Sequence, residues 1–319
     1  MTDQQIFPDM PDALYFDGSH FGIHSISDFT TYGPRGFWDR HIDRNHTDYG
    51  SRSYDIGTAT HEAVLRGETA MLARVARLPE SYIGRRYLGK RESKKIKKDV
   101  TVMELMGYKW DDKLERLYLN ETRPWNGNAE ECKQWIREHK GKIILNDSDY
   151  HTVYECLESV HETEEVMEYM QYGDPEVGLR THIGSLPVQC KCDWLASDKN
   201  GAYRAIVDLK TCITLDDFLR SFHKYKYWRQ AAHYTRVARS VLGVTIPFIF
   251  VAVEKQNPNR CEMFQIDDEY LAEADQVNVK DYEAISYYME QFGPRKPWPR
   301  QHEPKGVQTI NKPAWLGEN

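Results

Sequence analysis

Hydrophobic positions in the second half of the chain repeat with two clear periods. Val153, Cys156, Leu157, Val160, Met167 and Met170 recur at helical spacing behind the cap-type residues Asp147 and Ser148, so a helix is expected to end just before Gly173-Asp174-Pro175. Three strand-like runs follow, Glu176 to Ile183, Leu186 to Leu195 and Tyr203 to Thr211. Turn residues separate them at Gly184-Ser185 and Asp198-Lys199-Asn200-Gly201, which is the pattern of a meander. Thr214 then caps a helix with Asp216 and Asp217 in its first turn, where carboxylates meet the positive end of the helix dipole, and this helix is expected to reach about Leu242. Thr245 to Val253 reads as a buried strand, Cys261 to Ile266 as a further strand and Asp267 to Phe292 as a closing helix. The order is α-β-β-β-α-β, then β and α.

The first half is less regular. About fifty residues rich in Gly, Asp, His and Tyr read as irregular structure with a short helix at Ser25 to Phe29. From Tyr54, DIGTATHEAVLRGETAM reads as a helix with Ala59, Ala63, Val64 and Met71 on one side, and mixed helices are expected to about Lys140, interrupted by a loop at Trp125 to Asn128. Five prolines, Pro294, Pro297, Pro299, Pro304 and Pro313, mark the last 26 residues as an extended tail. The expected organisation is therefore a mostly helical region over 1–145, an α/β core over 146–292 and a Pro-rich tail over 293–319.

At 319 residues with 40% hydrophobic and 29% charged residues, the composition is that of an ordinary globular chain. Its longest apolar stretch, Ile246 to Val253, is too short to span a bilayer, and the N-terminus lacks a basic start followed by an apolar run, so a cytoplasmic location is expected. Six cysteines with no C-x-x-C pair indicate reduced thiols, and Cys190 and Cys192, two apart in a strand, are read as core rather than as ligands. The net charge of −7 disfavours a polyanion as partner when taken as an average. Locally the picture changes. Lys90 to Lys98 carries six bases and one acid, and Tyr203 to Ser240 carries eight bases and three acids, whereas Ile144 to His182 holds ten acids against one base.

The chemistry concentrates on two neighbouring strands. Asp193 lies in CKCDWLA and Asp208 and Lys210 lie in AIVDLKT, fifteen residues later. Period two puts Asp208 and Lys210 on one face of their strand, and a meander brings Asp193 within reach. Two carboxylates converging beside an ammonium suit a hard divalent cation, Mg²⁺ or Mn²⁺, which reverses their repulsion.

This order of elements, with an Asp on the second strand and D-x-K on the third, resembles the PD-(D/E)xK nuclease superfamily, whose fold is the restriction-endonuclease-like αβββαβ core with a mixed central sheet flanked by helices. Within it the chain is most similar to the RecE-type phage and prophage exonucleases and their RecB-like relatives, through GTATHEAVL with His61, the KCDWLA and VDLKT pair, and YWRQAAHY with Gln230 and Tyr234. The proline that precedes the first Asp in the family pattern is replaced by Cys192. The resemblance implies one or two Mg²⁺ or Mn²⁺ ions held by His61, Asp193, Asp208 and the carbonyl of Leu209, with Lys210 orienting the attacking water or stabilising the phosphorane, and Gln230 and Tyr234 as catalytic-site residues that touch the metal-proximal residues or DNA. Glu176 is a further acidic candidate. Lys94, Lys95, Lys97, Lys98, Lys224, Lys226 and Arg229 are the candidate DNA contacts. The implied activity is metal-dependent exonucleolytic hydrolysis from double-stranded DNA ends, by a ring-shaped homo-oligomer working beside a single-strand annealing recombinase. A structure-specific or CRISPR-adaptation-like endonuclease and a catalytically silent DNA-binding protein are the alternatives.

Overall fold

The computed structural model describes residues 4–44, 52–256 and 258–300. Along the chain come β1 (Gln5–Phe7), α1 (Asp12–Tyr15) and α2 (Ile23–Phe37), the last running into a π-helical turn over Trp38–Ile42. Next are α3 (Arg52–Arg66), α4 (Glu68–Arg74), β2 (Val75–Arg77), β3 (Ser81–Tyr87), α5 (Lys90–Ile96), α6 (Val100–Leu105), β4 (Lys109–Asp111) and β5 (Arg116–Pro124). Then α7 (Glu130–Glu138), β6 (Ile143–Leu145), α8 (Asp147–Glu162) and α9 (Glu164–Met170) lead into β7 (Gly173–Ile183), β8 (Leu186–Ser197) and β9 (Tyr203–Cys212). The chain closes with α10 (Leu215–Lys224), α11 (Tyr227–Leu242), β10 (Phe248–Glu254), β11 (Cys261–Gln265) and α12 (Asp268–Phe292).

The chain divides into two compact units, residues 1–49 with 160–319, and residues 50–159, rather than at 145/146. The reason is the N-terminal segment. β1 pairs antiparallel with β7 and extends its sheet, Met10 N donates to Glu176 O at 2.8 Å, and the Met10 side chain fills the space where Gly178 lacks a Cβ. The first forty residues, read as irregular, thus hold an edge strand and a helical segment, kinked at Gly33 (φ 70°), whose Ile23, Ile26 and Phe37 enter the core of this unit.

That unit is built on one six-stranded sheet in the order β1-β7-β8-β9-β10-β11. All its pairs are antiparallel except β9 with β10, which α10 and α11 connect, so the mixed sheet flanked by helices is present as expected. β10 reads FIFVAVE and is buried throughout, as a strand in a parallel pair covered on both faces must be. The helix expected from Asp147 to Gly173 is two, α8 and α9, with Asn146 rather than Asp147 accepting from Asp149 N at 2.9 Å at its start. The helix expected from Thr214 to Leu242 is also two. Thr214 caps α10 as anticipated, accepting from Asp217 N at 3.2 Å, but Lys226 takes a left-handed backbone (φ 56°, ψ 42°) that separates α10 from α11.

Residues 50–159 have their own core of Ile56, Ala59, Ala63, Met71, Val75, Leu145 and Val153, with the alanine face of α3 inward as its period indicates. α3 stops at Gly67, whose φ of 84° a helix cannot continue. The stretch expected to be mixed helices also contains strands, a three-stranded antiparallel sheet β3-β5-β4 and a parallel pair β2-β6. Among the described residues, no helix is long and apolar enough to cross a membrane.

One buried acid anchors the end of β10. Glu254 accepts from Leu215 N at 2.8 Å, at the first turn of α10, and from Arg260 Nη2 at 2.7 Å. The Arg260 hydrogen bonds outweigh burial and hold its carboxyl down at about 2. Its contribution to stability is present above the ordinary glutamate range, near 4.5, and is lost as pH falls through about 2. Glu254→Gln is expected to lower the unfolding free energy by about 1–3 kcal/mol at pH 7, and in urea titrations this difference from the parent should shrink between pH 4.5 and pH 2.

Candidate active site

β8 and β9 pair at Trp194↔Val207 and at positions beyond toward the turn, and the ladder stops there. One step further along the same register, Asp193 lies opposite Asp208. At this point a side chain replaces a ladder carbonyl: Asp193 Oδ2 accepts from Leu209 N at 2.8 Å. The same register logic applies on the other side of β8, where Pro175↔Trp194 and Val177↔Cys192 leave Glu176 facing Asp193. Glu176 has a left-handed backbone, φ 54°, at this interruption of the ladder. Three carboxylates, Glu176, Asp193 and Asp208, therefore lie in one row across three adjacent strands.

Two ammonium groups serve the row. Lys210 pairs with Asp208, and Lys191 pairs with Glu176 and, at 2.7 Å, with Asp12 Oδ1. Gln230 Nε2 donates to Asp208 Oδ1 at 2.7 Å, which fixes the plane of a carboxylate that is itself only 1% exposed. Burial pushes the Asp193 carboxyl up to about 6; Lys210 pulls it down and Glu176 adds to the rise. Burial also opposes the charge of Lys210, but Asp208 and Asp193 outweigh it and hold the ammonium above its ordinary range.

The structure brings Asp193, Asp208, Lys210, Leu209 and Gln230 together on this unit. Tyr234 is beside them but wholly internal, in contact with Phe248 and hydrogen-bonded to Tyr15, so it is a packing residue of the site rather than a DNA contact. Arg229 corrects the expected DNA surface. It is 1% exposed, bonded to Asn278 Oδ1 at 2.7 Å, Asp281 Oδ2 at 2.5 Å and Thr30 Oγ1 at 3.3 Å, because its position on α11 points at α12 and α2 rather than at solvent. Lys224 is exposed and Lys226 partly so. His61 lies on α3 and Lys94, Lys95, Lys97 and Lys98 in or just after α5, all in the other unit. There Lys94 is 3.7 Å from Glu115, and Lys97 Nζ stands 3.6 Å from the centre of the Trp110 ring.

Residues that periodicity could not flag come from the N-terminal segment. His24 on α2 feels the charges of Lys210 and Asp208, and burial first, then Lys210, keeps its imidazole below the ordinary range. Tyr15 and His24 also line a cavity of about 240 Å³ together with His20, Arg40, His41 and Gln189. Lys191 was equally inaccessible, since a lysine inside CKCDWLA carries no signal until its partners Glu176 and Asp12 are known.

Among the described residues no cage of three or more His, Cys, Asp or Glu side chains closes around one point. The donor set still fits a hard divalent cation: Mg²⁺ keeps several waters and is held through one or two carboxylates with the remaining positions left for substrate phosphate. Asp193 and Asp208 supply those carboxylates, and the raised Asp193 marks charge held at a cost that a cation relieves.

A PDDEXK-like domain of unknown function (DUF3799) matches residues 86–292, more than half of the chain. Among solved structures, the chain is similar to one described as a "putative exonuclease" from Eubacterium rectale, with 16% identity, a TM-score of 0.53 and coverage of 93% of this chain and 91% of that one. Protein VC1899 from Vibrio cholerae is matched at 9% identity over 92% of this chain and 60% of that one, with a TM-score of 0.21. No curated protein matches the chain.

Because the Asp193 carboxyl is raised in the folded state to about 6, folding is disfavoured by its charge above pH 6, and the penalty disappears as pH falls toward the ordinary aspartate range. In EDTA at pH 7, Asp193→Asn is expected to raise the stability of the protein by about 1–3 kcal/mol while removing cation binding. Denaturant melts at pH 7 and pH 4 check this; an Asn variant less stable than the parent at pH 7 contradicts the site electrostatics.

Proposed function

The chain belongs to the family of PDDEXK-like domains of unknown function, and we propose that it is a metal-dependent nuclease that hydrolyses DNA phosphodiester bonds, working as an exonuclease from duplex ends. The observation that carries this reading is the Asp193–Asp208 pair with Lys210 on the same face and Leu209 N locked to Asp193. One or two bound Mg²⁺ or Mn²⁺ ions would polarise the scissile phosphate and lower the pKa of a water.

The chain's own residues supply the rest. Asp193 and Asp208 would hold the cation, and the Leu209 N–H bond to Asp193 fixes the height of its carboxylate above the sheet. Gln230 holds Asp208 from behind, leaving the other carboxylate oxygen beside Lys210. Lys210, charged at neutral pH, donates to the water or to a phosphate oxygen as charge develops there. No covalent intermediate is needed, and phosphate contacts bring no base preference. The G-T-A-T-H motif supports His61 as a further ligand. The family resemblance also supports a ring-shaped homo-oligomer, a single-strand annealing recombinase as partner and a setting in phage-type recombination in the bacterial cytoplasm.

Linear, nicked and closed-circular duplex DNA incubated with Mg²⁺ or with EDTA tests the proposal. Linear DNA alone should be degraded, only with Mg²⁺, and the Mg²⁺ needed should rise at acid pH, where a proton competes with the cation for the raised Asp193 carboxylate. Asp208→Ala should reduce the rate by at least roughly 10³-fold and Lys210→Met by roughly 10²–10³-fold. Cutting of closed circles identifies an endonuclease instead, and full activity of Asp208→Ala removes the site assignment. His61→Ala, assayed at rising Mg²⁺, reports whether that histidine binds the ion.

A further inference from the structure

The break between α10 and α11 separates two tyrosines with different surroundings in the run Lys224-Tyr225-Lys226-Tyr227. Tyr227 turns inward, with its ring 6.2 Å from Phe218 and 6.0 Å from Phe250, and Lys210 Nζ lies 5.2 Å from its centroid. Tyr225 turns outward. It is 57% exposed, its ring is 5.9 Å from that of Tyr227, and Lys224 Nζ stands 5.1 Å from its centroid. The turn that produces this arrangement rests on a left-handed lysine, Lys226, a conformation that costs a non-glycine residue about 1–3 kcal/mol and that local sequence does not demand.

A line of contacts therefore leads from the catalytic strand to the surface: Lys210, Tyr227, Tyr225, Lys224. Its outer end pairs an aromatic face with an ammonium, which is the chemistry that a single-stranded nucleic acid requires, a π-surface for the base and a cation for the phosphate. Inside a duplex both faces of each base are already stacked on its neighbours, so an unpaired base can use this platform and an internal base pair cannot. We propose that Tyr225, flanked by Lys224, is a stacking platform for a base of single-stranded DNA adjacent to the phosphate bound at Asp193, Asp208 and Lys210. The proposal rests on the nuclease reading of that site and specifies the form in which substrate enters or leaves it.

Anisotropy of a short labelled oligothymidylate, measured in EDTA so that nothing is cleaved, tests the platform in the full chain. Tyr225→Ala should weaken binding roughly 5- to 150-fold, the ~1–3 kcal/mol of one base–aromatic stack, and Tyr225→Phe should stay within about twofold of the parent. An abasic strand of equal length should bind the parent and Tyr225→Ala alike. Equal affinity of parent and Tyr225→Ala for oligothymidylate overturns the platform, as does an equal loss on the abasic strand or no binding by the parent. Degradation of linear DNA with binding unchanged in Tyr225→Ala removes the platform and leaves the nuclease. Tyr225-dependent binding by a protein that degrades no DNA does the reverse.

Discussion

Like charges must be kept together on one line across this sheet. Strands about 5 Å apart put neighbouring members of the Glu176–Asp193–Asp208 row close enough that two full charges repel by about 3 kcal/mol at an effective dielectric near 20. Lys210 and Lys191 offset that repulsion from the two ends of the row, and Asp193 in the middle carries the cost of burial, which raises its carboxyl to about 6 with a smaller rise from Glu176. Several other features follow from this need. The ladder opens at Asp193 so that its carboxylate can take Leu209 N, Gln230 is buried to hold Asp208, and Lys191 reaches to Asp12 of the N-terminal segment.

Where local chemistry decides the structure, the sequence was legible. The three strands of the meander, the capped start of α10 and the buried strand β10 are each written in a period or a cap, and their order was enough to bring Asp193, Asp208, Leu209 and Lys210 to one place. Three things were not written there. Helix breaks at Thr163 and Lys226 depend on what the helices pack against, since neither site carries a glycine or proline. The sheet in residues 50–159 uses strands of mixed polarity, such as KWD and RLYLNETRP, whose alternation is faint. The N-terminal segment finds its role through β7, over 160 residues away, which no local pattern reveals.

That segment makes the nuclease-like unit discontinuous in sequence. β1 adds an edge strand, α2 packs on α12, and Arg229 ties the two helices through Thr30, Asn278 and Asp281. A buried arginine with three polar partners is structural whatever its neighbours in sequence suggest, because removing its charge from water is offset only while all of them are in place. The same segment brings His24 and Tyr15 to the carboxylates, so the site is assembled from the first residues of the sequence as well as its middle.

Arg229 also shows how far a charge count can mislead at short range. The net charge of −7 averages over regions that differ in sign, and the surplus of bases between Tyr203 and Ser240 was the natural refinement. Five of the eight bases in that stretch nevertheless have carboxylate partners: Arg204 with Glu168, Lys210 with Asp208, Arg220 with Asp217, Arg229 with Asp281 and Arg236 with Asp275. Three of those carboxylates lie outside the stretch, so the fold cancels a charge that the sequence segment had counted as available. What a polyanion meets here is narrower, Lys224 and Lys226 around an exposed tyrosine ring and the exposed Arg239 further along α11. A field that small gives weak attraction at a distance and leaves recognition to contact. On the proposed platform, base stacking at Tyr225 would therefore contribute more to holding a single strand than electrostatic steering over this surface.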